Sequence, residues 1–116
     1  MINSIAFTVY PVSDMARSKQ FYEGALELKQ AYNYQDEWVE YDTGGGTFAI
    51  TTTEMAHLPG AKGAVAGFEV DDLDIALKAL KEKSIPFVVD AFETPVCRMA
   101  VIADPDGNHI AIHKRK

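Results

Sequence analysis

Cysteine is almost absent. Cys97 is the only one in 116 residues, so no intrachain disulfide can staple the fold, and stability must come from a packed core. Positive charge is also scarce. Eleven Lys and Arg face 17 Asp and Glu, giving a net charge of −6. That excludes sequence-independent nucleic-acid binding, which needs a basic stripe to displace counterions. The one basic cluster, His113-Lys114-Arg115-Lys116, reads as a solvated tail. No apolar run approaches the roughly 20 residues that a membrane helix requires. Met1 to Ser4 lack the charged-then-apolar layout of a leader and run into a strand-like segment, so the cytoplasm is the expected compartment. Disorder is not indicated either. Hydrophobic residues make up 47% and charged residues 24%, with aromatic and β-branched side chains throughout. The length suits one domain with one core.

What is present has a clear order. Ile5 to Tyr10 is β-rich. Ser13 can cap a helix beginning near Asp14, with Met15, Ser18, Tyr22, Ala25 and Leu26 at helical spacing. Leu28 to Tyr34 reads as extended. Trp38 to Asp42 alternates as a strand does, Gly44-Gly45-Gly46 makes a turn, and Thr47 to Thr53 is a further strand. Pro59, Gly60 and Gly63 mark residues 54–63 as a linker. The plan then repeats. Val65 to Val70 is a strand, and Asp71 caps a helix whose buried stripe is Leu73, Ala76, Leu77 and Leu80. Pro86 to Phe92 and Arg98 to Ala103 read as strands. Asp104-Pro105-Asp106-Gly107 is a tight turn before a last strand from Asn108 to His113.

An offset of 58 lays Phe7, Val12, Asp14 and Met15 on Val65, Val70, Asp72 and Leu73, and an offset of 61 lays Gly46, Ala49 and Ile50 on Gly107, Ile110 and Ala111. The chain therefore reads as an α+β fold of two βαβββ modules, residues 1–53 and 64–116, with helices near 14–26 and 72–83.

Val12-Ser13-Asp14-Met15-Ala16-Arg17-Ser18 followed by Phe21-Tyr22 resembles the first-helix signature of the vicinal-oxygen-chelate superfamily. That group includes glyoxalase I, extradiol dioxygenases, fosfomycin-resistance enzymes and bleomycin-resistance proteins. Val70-Asp71-Asp72-Leu73-Asp74 resembles the opening of its second helix, and Asp104-Pro105-Asp106-Gly107-Asn108 the turn before its last strand. The resemblance implies two modules joined as a half-open barrel, a cavity for a small molecule between the sheets, and a homodimer. One departure is Glu27, where many relatives carry Gly; a left-handed Glu would be strained, and the cap could instead use Gly24.

Strand alternation assigns faces. Ile110 and Ile112 belong under a helix, so His109, Ala111 and His113 face the other way. Ala66, Phe68 and Val70 suit the helix side, leaving Val65, Gly67 and Glu69 on the concave side. Laid over the first module, the repeat puts Phe7, Val9, Phe48, Ile50 and Thr52 on the concave face. Trp38 and Glu40 join them, opposite Val39 and Tyr41. Arg98 points inward or to solvent. The expected ligand-binding set is thus Phe7, Val9, Trp38, Glu40, Phe48, Ile50, Val65, Glu69, Arg98, His109 and Ala111.

Metal-using relatives hold their ion with His, Gln or Glu on the first, fourth, fifth and eighth strands. The matching positions are Phe7, Ile50, Val65 and Ala111, which offer no ligand atom, so no metal or other cofactor is expected. Glu40 or Glu69 could serve as a buried general acid or base, or could be solvated acids. His109 and His113 could bind a displaced ion only with Glu69 as third partner, and otherwise are strand-end histidines. Arg98 could clamp an anion or form a surface ion pair. Cys97 reads as a small buried hydrophobe rather than a reactive thiol. Three functions follow: a metal-independent small-molecule binder, an enzyme of the same superfamily, or a scaffolding dimer whose cavity is self-filled.

Overall fold

The computed structural model describes residues 7–53, 65–93, 95 and 97–116. The expected linker at 54–63 lies outside them. The chain divides into two compact units, Met1–Gly60 and Ala61–Lys116.

In the first unit, β1 (Thr8–Pro11), β2 (Lys29–Tyr34), β3 (Trp38–Asp42) and β4 (Thr47–Thr51) form one sheet in the order β1-β4-β3-β2. β1 runs parallel to β4, and the other pairs are antiparallel. The second unit repeats this with β5 (Ala66–Glu69), β6 (Phe87–Glu93), β7 (Cys97–Ala103) and β8 (His109–Arg115), ordered β5-β8-β7-β6. Each unit is therefore βαβββ, and the α+β fold class is as expected. The basic cluster is not a loose tail: β8 continues through Arg115, and Lys116 pairs with Glu93 at 2.7 Å.

Helix α1 covers Met15–Lys19 and continues as a π-helical stretch, Gln20–Ala25. Both helices are capped one residue later than the sequence suggested. Asp14, not Ser13, accepts the Arg17 N–H at 3.0 Å, and Ser13 Oγ instead accepts from the Arg17 guanidinium at 2.9 Å. In α2 (Leu73–Glu82), Asp72 rather than Asp71 accepts the Ile75 N–H at 3.0 Å. Both caps have extended backbone, φ −139° and −136°, as the position requires. After α2, Ser84 is left-handed at φ +58°, with Ile85 N–H bonded to the Leu80 carbonyl and Ser84 N–H to that of Lys81. This is a Schellman ending with Ser in the usual glycine place.

The core of each unit lies between its helix and its sheet. In the first, Tyr22 is fully buried, 5.2 Å from the Phe48 ring and 6.2 Å from that of Tyr41, and Tyr10 packs edge-on against Phe48 at 5.3 Å. In the second, Leu73, Leu77 and Leu80 are buried, as are Ala100, Ile102, Ile110 and Ile112. Each fully buried Leu or Ile contributes about 1.5–3 kcal/mol by leaving water.

Candidate functional site

Strand pairing settles which residues share a face, because directly opposed residues point the same way. Thr8, Tyr10, Val39 and Tyr41 pair with Phe48 or Ile50, so this set faces the helix. Val9, Trp38 and Glu40 pair with Ala49 or Thr51, and these form the opposite, helix-free face. Phe7 joins them, its ring edge-on to Trp38 at 5.2 Å. Phe48 and Ile50 are thus corrected: they are core residues, not part of a concave wall. The cause is one residue. Thr8 pairs with Phe48 and Ala66 with Ile110, so β4 and β8 correspond at an offset of 62, not 61. The additional residue sits in the turn before β8, around Asn108. Because side chains alternate, one step reverses every assignment. Thr52 shifts with them.

Two residues of this face escaped sequence reasoning. Tyr32 and Tyr34 lie opposite Glu40 and Trp38 and are 53% and 51% exposed. The Tyr32-Asn33-Tyr34 alternation was the available signal. A register irregularity between Gln30 and Tyr32 hid which face the tyrosines take. Trp38 Nε1 donates to Glu40 Oε2 at 2.8 Å, pinning a carboxylate among rings.

In the second unit, Val65, Gly67, Glu69, His109, Ala111 and His113 do lie opposite the helix, since Ala66 and Phe68 pair with Ile110 and Ile112. Met99, Val101 and Ala103 share this face, as do Val89 and Phe92 of β6. Cys97 is buried on the same side. Arg98 leaves the expected ligand-binding face and takes its alternative role: it sits on the helix side in a surface ion pair, its guanidinium 3.1 Å from Asp74 on α2 and 4.0 Å from Glu93.

The sheet brings Glu69 and His113 together but not His109. Glu69 Oε1 meets His113 Nδ1 at 2.5 Å, and Oε2 accepts the Arg115 N–H at 2.8 Å. The Arg115 amide, then the imidazole, hold the Glu69 carboxyl below its ordinary pKa. This contact fixes the orientation of the His113 ring through Nδ1. Elsewhere, burial and the hydrogen bond to Glu23 at 2.8 Å push the Tyr41 phenol upward, keeping it neutral. A groove of about 490 Å³ lined by Asp74, Leu77, Lys78, Lys81, Glu82 and Ala91 lies along α2 and β6. Its rim carries both charge signs and it is remote from the helix-free face.

Among the described residues, exposed large hydrophobics number eight: Phe7, Tyr32, Tyr34, Val65, Ile75, Val88, Val89 and Phe92. Six of them, all but Ile75 and Val88, lie on the helix-free face of their own sheet.

These faces, carried on a repeated βαβββ plan, place the chain in a known class. The Glyoxalase/Bleomycin resistance protein/Dioxygenase superfamily profile matches residues 4–112, and the chain belongs to that superfamily. Solved structures of the same fold include TnmS3, an antibiotic binding protein from Streptomyces sp. CB03234. It has 21% identity and a TM-score of 0.81, with 99% of this chain and 98% of that one covered. A lactoylglutathione lyase from Agrobacterium tumefaciens has 16% identity and a TM-score of 0.77, over 97% and 94%. A virulence protein from Salmonella typhimurium has 22% identity and a TM-score of 0.79, over 98% of both chains. No curated protein matches the sequence.

The metal ion used by many relatives does not fit the residues present. With the register corrected, Ala49 replaces Ile50 at the fourth-strand position. Phe7, Ala49, Val65 and Ala111 then present only carbon where lone pairs are needed. Among the described residues, no three His, Cys, Asp or Glu side chains gather closely enough to hold an ion. The displaced set of Glu69, His109 and His113 is therefore not assembled.

Proposed function

We propose that this protein is a metal-independent small-molecule binder whose guest is apolar or aromatic and rests on the helix-free sheet face. One observation carries the reading: exposed apolar side chains concentrate on that face, where a soluble protein gains nothing by leaving them wet. Phe7, Trp38, Tyr32 and Tyr34 supply rings for stacking, and Val9 and Ala49 the floor between them. The second module's own helix-free face, taken by itself, carries apolar Val65, Ala111, Val89 and Phe92 and polar Glu69, His109 and His113. TnmS3, the antibiotic-binding relative by fold, supports a binding role within the superfamily. The protein acts as a homodimer in the cytoplasm, consistent with sheets that end on β2 and β6 and a single, buried cysteine.

The test uses acridone, a neutral planar probe. Trp38 is the chain's only tryptophan, so its indole N–H gives one assignable NMR resonance. Acridone should shift that resonance saturably, and Tyr34→Ala should weaken binding about five-fold or more, as losing one stacking partner implies. An unmoved indole resonance at saturating probe would refute the reading.

A further inference from the structure

We infer that the helix-free face of the first module selects an organic cation with a flat apolar body, and that Glu40 is the residue that sets this charge preference. The inference rests on the binding role proposed above and adds the charge of the guest.

The argument starts from register. Tyr32 is directly opposite Glu40, and Tyr34 directly opposite Trp38. Opposed residues on one face have β-carbons about 4.5–5.5 Å apart, so the carboxylate stands beside one tyrosine ring and one indole. Phe7 closes the far side of Trp38, its ring edge-on at 5.2 Å. Glu40 is half-buried, and its Oε2 is taken by the indole N–H at 2.8 Å. That bond keeps the carboxylate on the ring surface instead of letting it swing to solvent. Its Oε1 has no partner among the described residues, and so is available to a donor on a guest.

Rings and carboxylate prefer the same charge. The faces of Trp and Tyr attract a cation within about 6 Å of the ring centre. A half-buried carboxylate attracts it further, in a medium less screening than water. A neutral guest lying over this surface would strip water from Glu40 and return nothing, which costs free energy; an anion would be repelled. The other charges on this face are Lys29 and Asp42, opposite each other at the far end of β2 and β3, and they cancel. The net charge of −6 favours approach of a cation at longer range.

The experiment compares three probes of nearly one shape on the full chain by calorimetry: 9-aminoacridine, a cation at neutral pH; acridone, neutral; and acridine-9-carboxylate, an anion. The wild-type protein should bind 9-aminoacridine about ten-fold more tightly than acridone, and the anion most weakly. Glu40→Gln keeps an oxygen for the indole N–H and removes only the charge. It should bring 9-aminoacridine to within about two-fold of acridone, chiefly by weakening the cation, while acridone, no longer desolvating a charge, binds at least as tightly as to the wild type. The probe series on the wild-type protein needs no variant, so it stands even if the substitution disturbs folding. Acridone binding as tightly as 9-aminoacridine in the wild type, or a ratio untouched by Glu40→Gln, would overturn the charge assignment while leaving the binding role intact. Failure of all three probes to bind or to shift the Trp38 indole would remove the binding role and this inference together.

Discussion

Glu27 follows the π-helical end of α1 with φ +58°, a left-handed conformation that costs an L-residue about 1–2 kcal/mol. The chain accepts it because Leu28 N–H reaches the Tyr22 carbonyl at 3.0 Å and turns into β2. The strain anticipated at this position is present, and Gly24 does not relieve it: its φ is not positive. Glu27→Gly should therefore raise stability by about 0.5–1 kcal/mol, the relief being partly offset by the greater freedom of unfolded glycine. Urea unfolding with an unchanged slope measures it. A loss of stability would mean that the Glu27 side chain makes a contribution larger than the strain.

At the scale of an element, the turn between β7 and β8 is the piece on which register depends. Asp104 and Asn108 are both 4% exposed. Asp104 Oδ1 accepts the N–H groups of Asp106 and Asn108 at 3.0 and 2.8 Å, and Oδ2 accepts from the Asn108 amide at 2.9 Å. Gly107, at φ +83°, lets the chain reverse. Asp104→Ala leaves these donors without their acceptor and should cost about 2–3 kcal/mol. Asp104→Asn keeps one oxygen and should cost less. Thermal unfolding of the two variants checks the order; equal or negligible losses would show that the turn does not organise β8. This turn is also where sequence alignment of the halves failed. The glycines of the two turns were matched, but Asn108 adds a residue before β8, and the error passed to Phe48 and Ile50. Faces read from a strand's own alternation, without the repeat, were placed correctly, including Val39, Tyr41, Ile110 and Ile112 on the helix side.

For the whole molecule, the superfamily membership spans residues 4–112, and the fold agrees over nearly the full chain with proteins described as binder and as lyase. Fold alone therefore does not choose between them; the binding role proposed above rests on the side chains of the helix-free face. Among the described residues, no helix is long and apolar enough to cross a membrane. The proposed homodimer predicts that light scattering at micromolar concentration returns twice the chain mass of 12.8 kDa. A clean monomer would refute it. Sheet ends carrying exposed Tyr32, Tyr34, Val88 and Val89 are surfaces that proteins ordinarily cover.

The amino-acid sequence by itself determined the two-module plan, the helices and the buried stripes of both helices. Those follow from local chemistry: capping aspartates, glycine turns, and apolar periods of 3.6 and 2. Tertiary structure decided what depends on pairing between distant strands. It set the offset of β4 against β1, which sent Phe48 and Ile50 into the core and Ala49 to the opposite face. It brought Tyr32 beside Glu40, Glu69 beside His113, and Arg98 across to Asp74. A strand carries its alternation in its own residues, but which face is which is fixed only by the partner it bonds and the helix that covers it.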